Sequence, residues 1–309
     1  MGYFANTRGA LIAMSKALYV AIEGGGTKFV VSVGDKFDNA TTINIPTESP
    51  SATMHKVIDF INNEAAGQPI TAIGLASFGP IGINSSLPDY GVIGKTPKTG
   101  WSGFNYFEEL SVFNAPIAID SDVNGAALGE SRCGVGKDKN RIAYITVGTG
   151  VGGGFVANSA VLNGIGHPEL GHILVPRHPR DLLGSGCCPF HNDCLEGLAS
   201  GPSIYARWGK DLSQLHSSHV AHELEAYYLA SMCVNVLLQF VPDVIILGGG
   251  VMKTPGLIER VRETTVDLLG GYMPKYDSKK AIEKIIVPPL CEPVSGLVGA
   301  FEMAYDLLR

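Results

Sequence analysis

The sequence predicts an α/β fold. Three observations carry that expectation. Short apolar, strand-like runs alternate with amphipathic, helix-like segments along the chain. A strand, glycine turn, strand unit near Gly24 returns near Gly148. The apolar runs are also short and end in polar residues or glycine, as strands packed under helices do. With 309 residues, 45% of them hydrophobic, the chain can bury a large core and divide into two domains.

The elements follow in order. "ALYVAIEGGGTKFVVSVGD" reads as strand, glycine turn, strand. "SPSATMHKVIDFINNEA" has helical spacing, with Met54, Val57, Ile58 and Ile61 on one face and Ser49 or Ser51 as its cap. "ITAIGLASFGP" and "APIAIDSD" are strands, and "VNGAALGES" is a helix. "RIAYITVGTGVGGGFVANSAVLNG" repeats the N-terminal design. "AHELEAYYLASMCVNVLLQFV" is a long helix, and the strand and turn "DVIILGGGV" follow it. "GLIERVRETTVDLL" and "VSGLVGAFEMAYDLL" are further helices.

Composition narrows the function. The formal net charge is -6, so no basic surface for nucleic acid or an anionic membrane is advertised. No apolar run reaches the roughly 18 residues of a spanning helix. Residues 1–18, "MGYFANTRGALIAMSKAL", read as an N-terminal extension and not as a signal peptide. Six cysteines without a secretory signal read as thiols or metal ligands in a reducing, cytoplasmic setting.

The glycine turns match neither common phosphate motif. "GGGTK" lacks the spacing of a Walker A loop, and "GTGVGGG" runs into strand-like residues instead of a helix. Such turns offer backbone N–H groups unobstructed by side chains, which suits phosphate oxygens. Two related halves facing across a cleft would set both turns on one ligand; taken alone, both turns read equally well as ordinary hairpins.

Gly166 to Gly197 holds four histidines, three cysteines and two glutamates. Cys188, His191 and Cys194 have C-x2-H-x2-C spacing, with His172 upstream. Two thiolates and two imidazoles around a tetrahedral ion describe structural zinc; reduced thiols beside surface histidines are the equal alternative. Asp122, in "DSDVN", falls where a strand gives way to a helix, and by residue type alone it reads as a helix cap.

Taken together, "IEGGGTKF", "DSDVNGAALGE", "ITVGTGVGGG", "GHPELGH", "CPFHNDCLEGLASGP" and "ILGGGV" resemble, in order and spacing, the ROK sugar kinases. The resemblance runs from about Tyr19 to the C-terminus. "GKTPKTGW" and the C-x2-H-x2-C spacing are most similar to the bacterial fructokinase branch. It implies an actin-like ATPase fold of two RNase H-like domains with a cleft between them. Residues 19–119 would form the first domain and 120–295 the second, with a zinc-binding loop at 166–197. The helix at about 296–309 would pack back on the first.

The resemblance also implies transfer of the ATP γ-phosphoryl group to a hexose, expected to be fructose. Asp122 matches the general base for the sugar hydroxyl, with Asp120 the competitor two residues earlier. Glu169, His172 and Glu196 match sugar contacts, and Ser121 stands where many relatives place a further contact, an asparagine. His172, Cys188, His191 and Cys194 match a structural zinc site, with Cys187 a rival for the first thiolate and His167 and His178 left over. Gly25, Gly26, Thr27 and Lys28 match the first phosphate loop, and Gly148, Thr149 and Gly150 the second. Gly248, Gly249, Gly250 and Val251 match the loop under adenosine, with Pro202 nearby. Glu23 replaces an aspartate of many relatives, and its carboxylate would hold the Mg²⁺ that accompanies ATP. A homodimer is the family expectation. The alternatives are a kinase for glucose, mannose or an N-acetylhexosamine, and a sugar-responsive repressor. The latter would need a helix-turn-helix domain, for which 18 preceding residues are too few.

Overall fold

The computed structural model describes residues 17–276, 278–291 and 294–309. Of the expected N-terminal extension, residues 1–16 lie outside the described residues.

The chain forms two five-stranded sheets with one shared topology. The first contains β1 (Tyr19–Gly24), β2 (Lys28–Gly34), β3 (Thr41–Pro46), β4 (Ala72–Ser77) and β5 (Ile117–Ser121) in the order β3-β2-β1-β4-β5. The second contains β6 (Arg141–Val147), β7 (Val151–Ala157), β8 (Ala160–Val161), β9 (Val244–Gly248) and β10 (Ile286–Val287) in the order β10-β9-β6-β7-β8. In each, an antiparallel three-strand meander adds two parallel strands beside its first member. The recurrence near Gly24 and Gly148 is thus one supersecondary unit used twice.

Five layers result. Helix α1 (Pro50–Ala65) covers the outer face of the first sheet through Met54, Val57 and Ile61. Ser49 is its cap, accepting from the Ala52 N–H, and Pro50 fills the first helical turn, where a missing N–H costs nothing. The inner faces of the two sheets hold α3 (Asp122–Cys133) and α9 (Ser295–Asp306) between them. The outer face of the second sheet is covered by α6 (Val220–Gln239) and α7 (Leu257–Leu269). Strand β1 shows why both faces are apolar: Val20 and Ile22 enter one core, and Ala21 enters the other.

The two inner helices meet backbone to backbone. A Cβ on Gly299 would lie 1.8 Å from the Gly125 carbonyl oxygen, and one on Gly129 would lie 2.3 Å from that of Ser295. Buried Glu130 of α3 ties the approach to α9. Its carboxylate accepts from the N–H groups of Leu290 and Cys291 and from the Ser295 hydroxyl, at 3.2, 2.7 and 2.9 Å.

Five short helices and strands fall outside the sequence expectation: α2 (Tyr106–Leu110), α4 (Leu195–Ala199), α5 (Gly201–Trp208), α8 (Lys279–Ile285) and β10. None spans more than about two helical turns, so none develops a periodicity that could be read. Strand β3 was also missed. It is an edge strand in which Ile45 alone is buried, so it lacks an apolar run.

Candidate active site

The strand-to-helix junction β5–α3 builds the centre of the site. Ser121, and not Asp122, caps the helix: its hydroxyl accepts from the Asn124 N–H at 3.3 Å. This frees the Asp122 carboxylate, whose Oδ1 accepts from the Val123 N–H at 2.9 Å. It also corrects the expectation for Ser121. That residue is 1% exposed, and its hydroxyl is committed to the cap, so it is not positioned to contact a sugar.

Asp122 opens into a cavity of about 150 Å³ that it shares with Glu23, Tyr144, Thr146, Gly249 and Ser295. Glu23 comes from the end of β1, Thr146 from β6, Gly249 from the turn after β9, and Ser295 from the start of α9. The inner ends of both sheets therefore converge here. Burial pushes the Asp122 carboxyl up to about 6. Burial also pushes Glu23 up to about 7, with the Asp122 charge adding to the effect. A larger cavity, of about 520 Å³, is lined by Phe155, Leu170, Ile173, Phe240 and neighbours, and no carboxylate faces it. Both carboxylates line the smaller one.

Asp120 is occupied elsewhere. It is buried and accepts from the Asn124 side chain at 2.7 Å, from the Asn163 side chain at 2.9 Å and from the Ser121 N–H at 2.7 Å. Both oxygens are committed, so it holds the loop after β8 against the end of β5 and is poorly placed to take a proton.

The second and third glycine turns come together, with Gly148 against Gly250. Gly148 donates its N–H to the Gly150 carbonyl, and the Gly148 carbonyl accepts from Gly201 N at 2.8 Å, which sets Pro202 and the start of α5 beside this turn. Gly249, at φ +94°, is packed so that a Cβ would lie 2.4 Å from the Val147 carbonyl oxygen. Only glycine fits the turn between Gly248 and Val251 at that point. In the first turn Gly25 donates its N–H to the Lys28 carbonyl, and Thr47 braces it by donating its hydroxyl to the Gly25 carbonyl at 2.8 Å. Gly26 and Thr27 form its tip. The Lys28 ammonium reaches the Asn44 side chain at 3.2 Å on the solvent side of β2.

The expected metal ligands also come together. One ligand atom each from His172, Cys188, His191 and Cys194 lie within 4.8 Å of one another. The Cys188 sulfur is 3.7 Å from His172 Nδ1 and 3.8 Å from His191 Nδ1, and the Cys194 sulfur is 3.6 Å from His172 Nδ1. Tetrahedral zinc bonds of about 2.3 Å to sulfur and 2.0–2.1 Å to nitrogen put such atoms about 3.6 Å apart, so the group fits. Cys188 is buried within the group, whereas Cys187 is exposed and outside it. Asp193 fixes the loop: it takes the Arg177 guanidinium through both oxygens, at 2.8 and 2.9 Å, and the Gly186 N–H at 2.8 Å. Arg177 holds the Asp193 carboxyl below its usual range.

The proposed sugar residues flank this group. Glu169 precedes the short helix Leu170–His172, and its carbonyl accepts from the His172 N–H at 3.0 Å. Its exposed carboxylate lies close enough to raise the Asp122 pKa. Glu196, on α4, accepts from the Val151 N–H at 3.0 Å and lies across the second glycine turn. Two residues were not expected. His167, read as left over, has its imidazole 3.6 Å from Glu169 and against Gly79, on the side facing Asp122. Lys98, inside "GKTPKTGW", donates from its ammonium to the Gly26 carbonyl. Both lie inside quoted motifs, "GHPELGH" and "GKTPKTGW", but the turn each one lies against is distant in sequence, which no motif records.

The ROK family as a whole matches residues 19–306. A fructokinase of Pediococcus pentosaceus is 40% identical over 291 residues, covering 94% of this chain and 98% of that protein. A putative fructokinase of Bacillus subtilis is 38% identical, covering 93% and 95%. A ROK hexokinase from Thermus thermophilus superposes with a TM-score of 0.74 at 25% identity, covering 94% of this chain and 99% of that one. The fold is accordingly the actin-like ATPase fold of those kinases, and the chain belongs to the ROK family.

Proposed function

We propose that this protein is an ATP-dependent kinase that phosphorylates fructose to fructose 6-phosphate. One observation carries the reading: the Asp122 carboxylate, relieved of capping by Ser121, faces the cavity on which the strand ends at Glu23 and Thr146 and the turn at Gly249 converge. Asp122 accepts the proton of the sugar hydroxyl as its oxygen bonds to phosphorus. The turns at Gly25–Lys28, Gly148–Gly150 and Gly248–Val251, with Pro202, hold ATP. Glu23 holds the accompanying Mg²⁺. Glu169, His172 and Glu196 hold the sugar hydroxyls, since carboxylates and imidazoles both suit that work. Zinc is the ion that His172, Cys188, His191 and Cys194 suit best, and its task is to stiffen the sugar pocket. The fructokinases at 38–40% identity, matched nearly end to end, support the choice of sugar.

The domain boundary expected at 119/120 falls inside β5 (Ile117–Ser121), the last strand of the first sheet, so we place it after Ser121, with α9 (Ser295–Asp306) packed back on the first domain. Among the described residues no helix is long and apolar enough to cross a membrane, and we place the protein in the cytoplasm as a homodimer. An ADP-release assay across fructose, glucose, mannose and N-acetylated hexoses tests the function. Fructose is expected to give the highest kcat/KM. Equal rates on glucose would remove the fructose assignment and leave a hexose kinase.

A further inference from the structure

Lys98 is a half-buried cation held at a glycine turn. Its ammonium donates to the Gly26 carbonyl and lies 5.3 Å from the centre of the Phe78 ring. Among the described residues no carboxylate forms an ion pair with it, and burial lowers its pKa with no charged neighbour to oppose the shift. An ammonium moved partly out of water without an anion is unfavourable by itself. The surroundings nonetheless fix it there. Trp101, 1% exposed, packs on Phe29, Phe78 and Phe104 and donates its indole N–H to the Glu48 carbonyl at 2.9 Å. That anchors the loop three residues beyond Lys98. Gly26 has no side chain in the way: a Cβ there would lie 2.6 Å from the Lys98 ammonium.

The other lysine near this turn, Lys28, is held at Asn44 on the exposed face of β2, where its charge acts on Glu23. Lys98 is the lysine whose ammonium reaches the tip of the first glycine turn, and no carboxylate among the described residues pairs with it. Resting on the kinase reading above, we infer that Lys98 contacts the γ-phosphoryl group of ATP and neutralises its charge during transfer. In phosphoryl transfer the protein acts mainly by positioning and by offsetting charge on the equatorial oxygens, and a fixed ammonium does both. The bond to the Gly26 carbonyl is then the resting arrangement, which holds the ammonium at the turn before nucleotide arrives.

The alternative is a structural pin between Gly26 and its loop, and the test separates the two. Lys98→Gln keeps a donor for the Gly26 carbonyl and removes the charge; Lys98→Arg keeps a charge. Wild type and both variants are titrated calorimetrically with ADP and with AMPPNP, in magnesium, and assayed with fructose. The expected result for Lys98→Gln is a roughly 10²-fold lower kcat, AMPPNP binding weakened about tenfold, and ADP binding and melting temperature unchanged. Lys98→Arg should recover part of kcat. Lys98→Gln with wild-type kcat and AMPPNP affinity overturns the inference. So does equal weakening of ADP and AMPPNP, which would put the ammonium on the inner phosphates or make it a pin. A wild-type protein that binds neither nucleotide overturns the kinase reading itself, and this one with it.

Discussion

Glu23 and Asp122 present their carboxylates to one cavity from opposite origins, the first from the end of β1 and the second from the first residue of α3. Burial raises the pKa of both, and the Asp122 charge raises the cost of ionising Glu23 further. The predictions below start from that pair.

Asp122→Asn should lower kcat by roughly 10²- to 10⁴-fold, the usual worth of a general base. The melting temperature should barely move, because Ser121 and not Asp122 caps α3. Asp120→Asn should behave in the reverse way. An amide there sets an N–H against the Asn124, Asn163 and Ser121 donors, and about 1–3 kcal/mol of stability should be lost. Steady-state kinetics and thermal melts on both variants check this. Full turnover in Asp122→Asn would refute the assignment.

Turnover should fall on the acid side. The base must be ionised, and the Asp122 carboxyl sits at about 6, so kcat/KM for the sugar should drop as pH falls through that value. In Glu23→Gln the acid limb should stay near the same pH, because Glu23, at about 7, is already protonated where Asp122 titrates and has no charge to lose. A limb that moves to lower pH would show that Glu23 is ionised while Asp122 takes up its proton.

Glu23→Gln should also stabilise the protein, with a definite pH window. The Glu23 pKa is raised on folding from 4.5 to about 7, so the folded state holds the proton longer. Wild-type stability therefore falls as pH rises from about 4.5 to about 7. Gln escapes that loss. Its advantage should be near zero below that window, grow across it, and level off above about 7 at roughly 1–3 kcal/mol. Denaturant titrations at pH 4.5, 6 and 8 measure the gap. A constant gap at all three would contradict the account.

Cys188→Ser should lose bound metal, lower the melting temperature and raise the sugar KM together, because ligand group and sugar residues share one loop. Cys187→Ser should do none of these, since that thiol is exposed and outside the group. Purified wild-type protein should carry about one zinc per chain. Active protein free of zinc and never exposed to chelator would end the metal reading.

Ser121→Ala isolates the correction at that residue. Losing the cap should cost about 1 kcal/mol, with the sugar KM unchanged. A raised KM at wild-type stability would restore Ser121 as a sugar contact.

Much of this was legible in the sequence, for identifiable reasons. β1, β4, β6 and β9 are buried on both faces, so they read as continuous apolar runs; α1 and α6 are long enough to show their spacing. The metal group was legible because three of its four members lie within seven residues, Cys188 to Cys194. Choosing Cys188 over Cys187 was not, since it depends on which side chain turns inward. The cap at Ser121 was misread because serine and aspartate are both favoured caps, and only the position of the first helical residue separates them. Lys98 and Asn163 escaped for a simpler reason. Each bonds a residue far off in the chain, 72 and 43 positions away, and no local pattern records that.

The glycine seam between α3 and α9 has a genetic consequence. Gly125, Gly129 and Gly299 keep the helices in backbone contact, and a Cβ on Gly296 would lie 2.6 Å from the Glu23 carboxylate. A methyl at Gly129 or Gly299 must part the helices, one at Gly125 must push α3 off Ala76 of β4, and one at Gly296 must displace Glu23. Asp122 begins one helix and Ser295 begins the other, so parting the helices widens the cavity they both line. A random mutagenesis screen for lost turnover should therefore recover alleles along this seam, in residues that carry no reactive group, and many of them should encode protein that still folds.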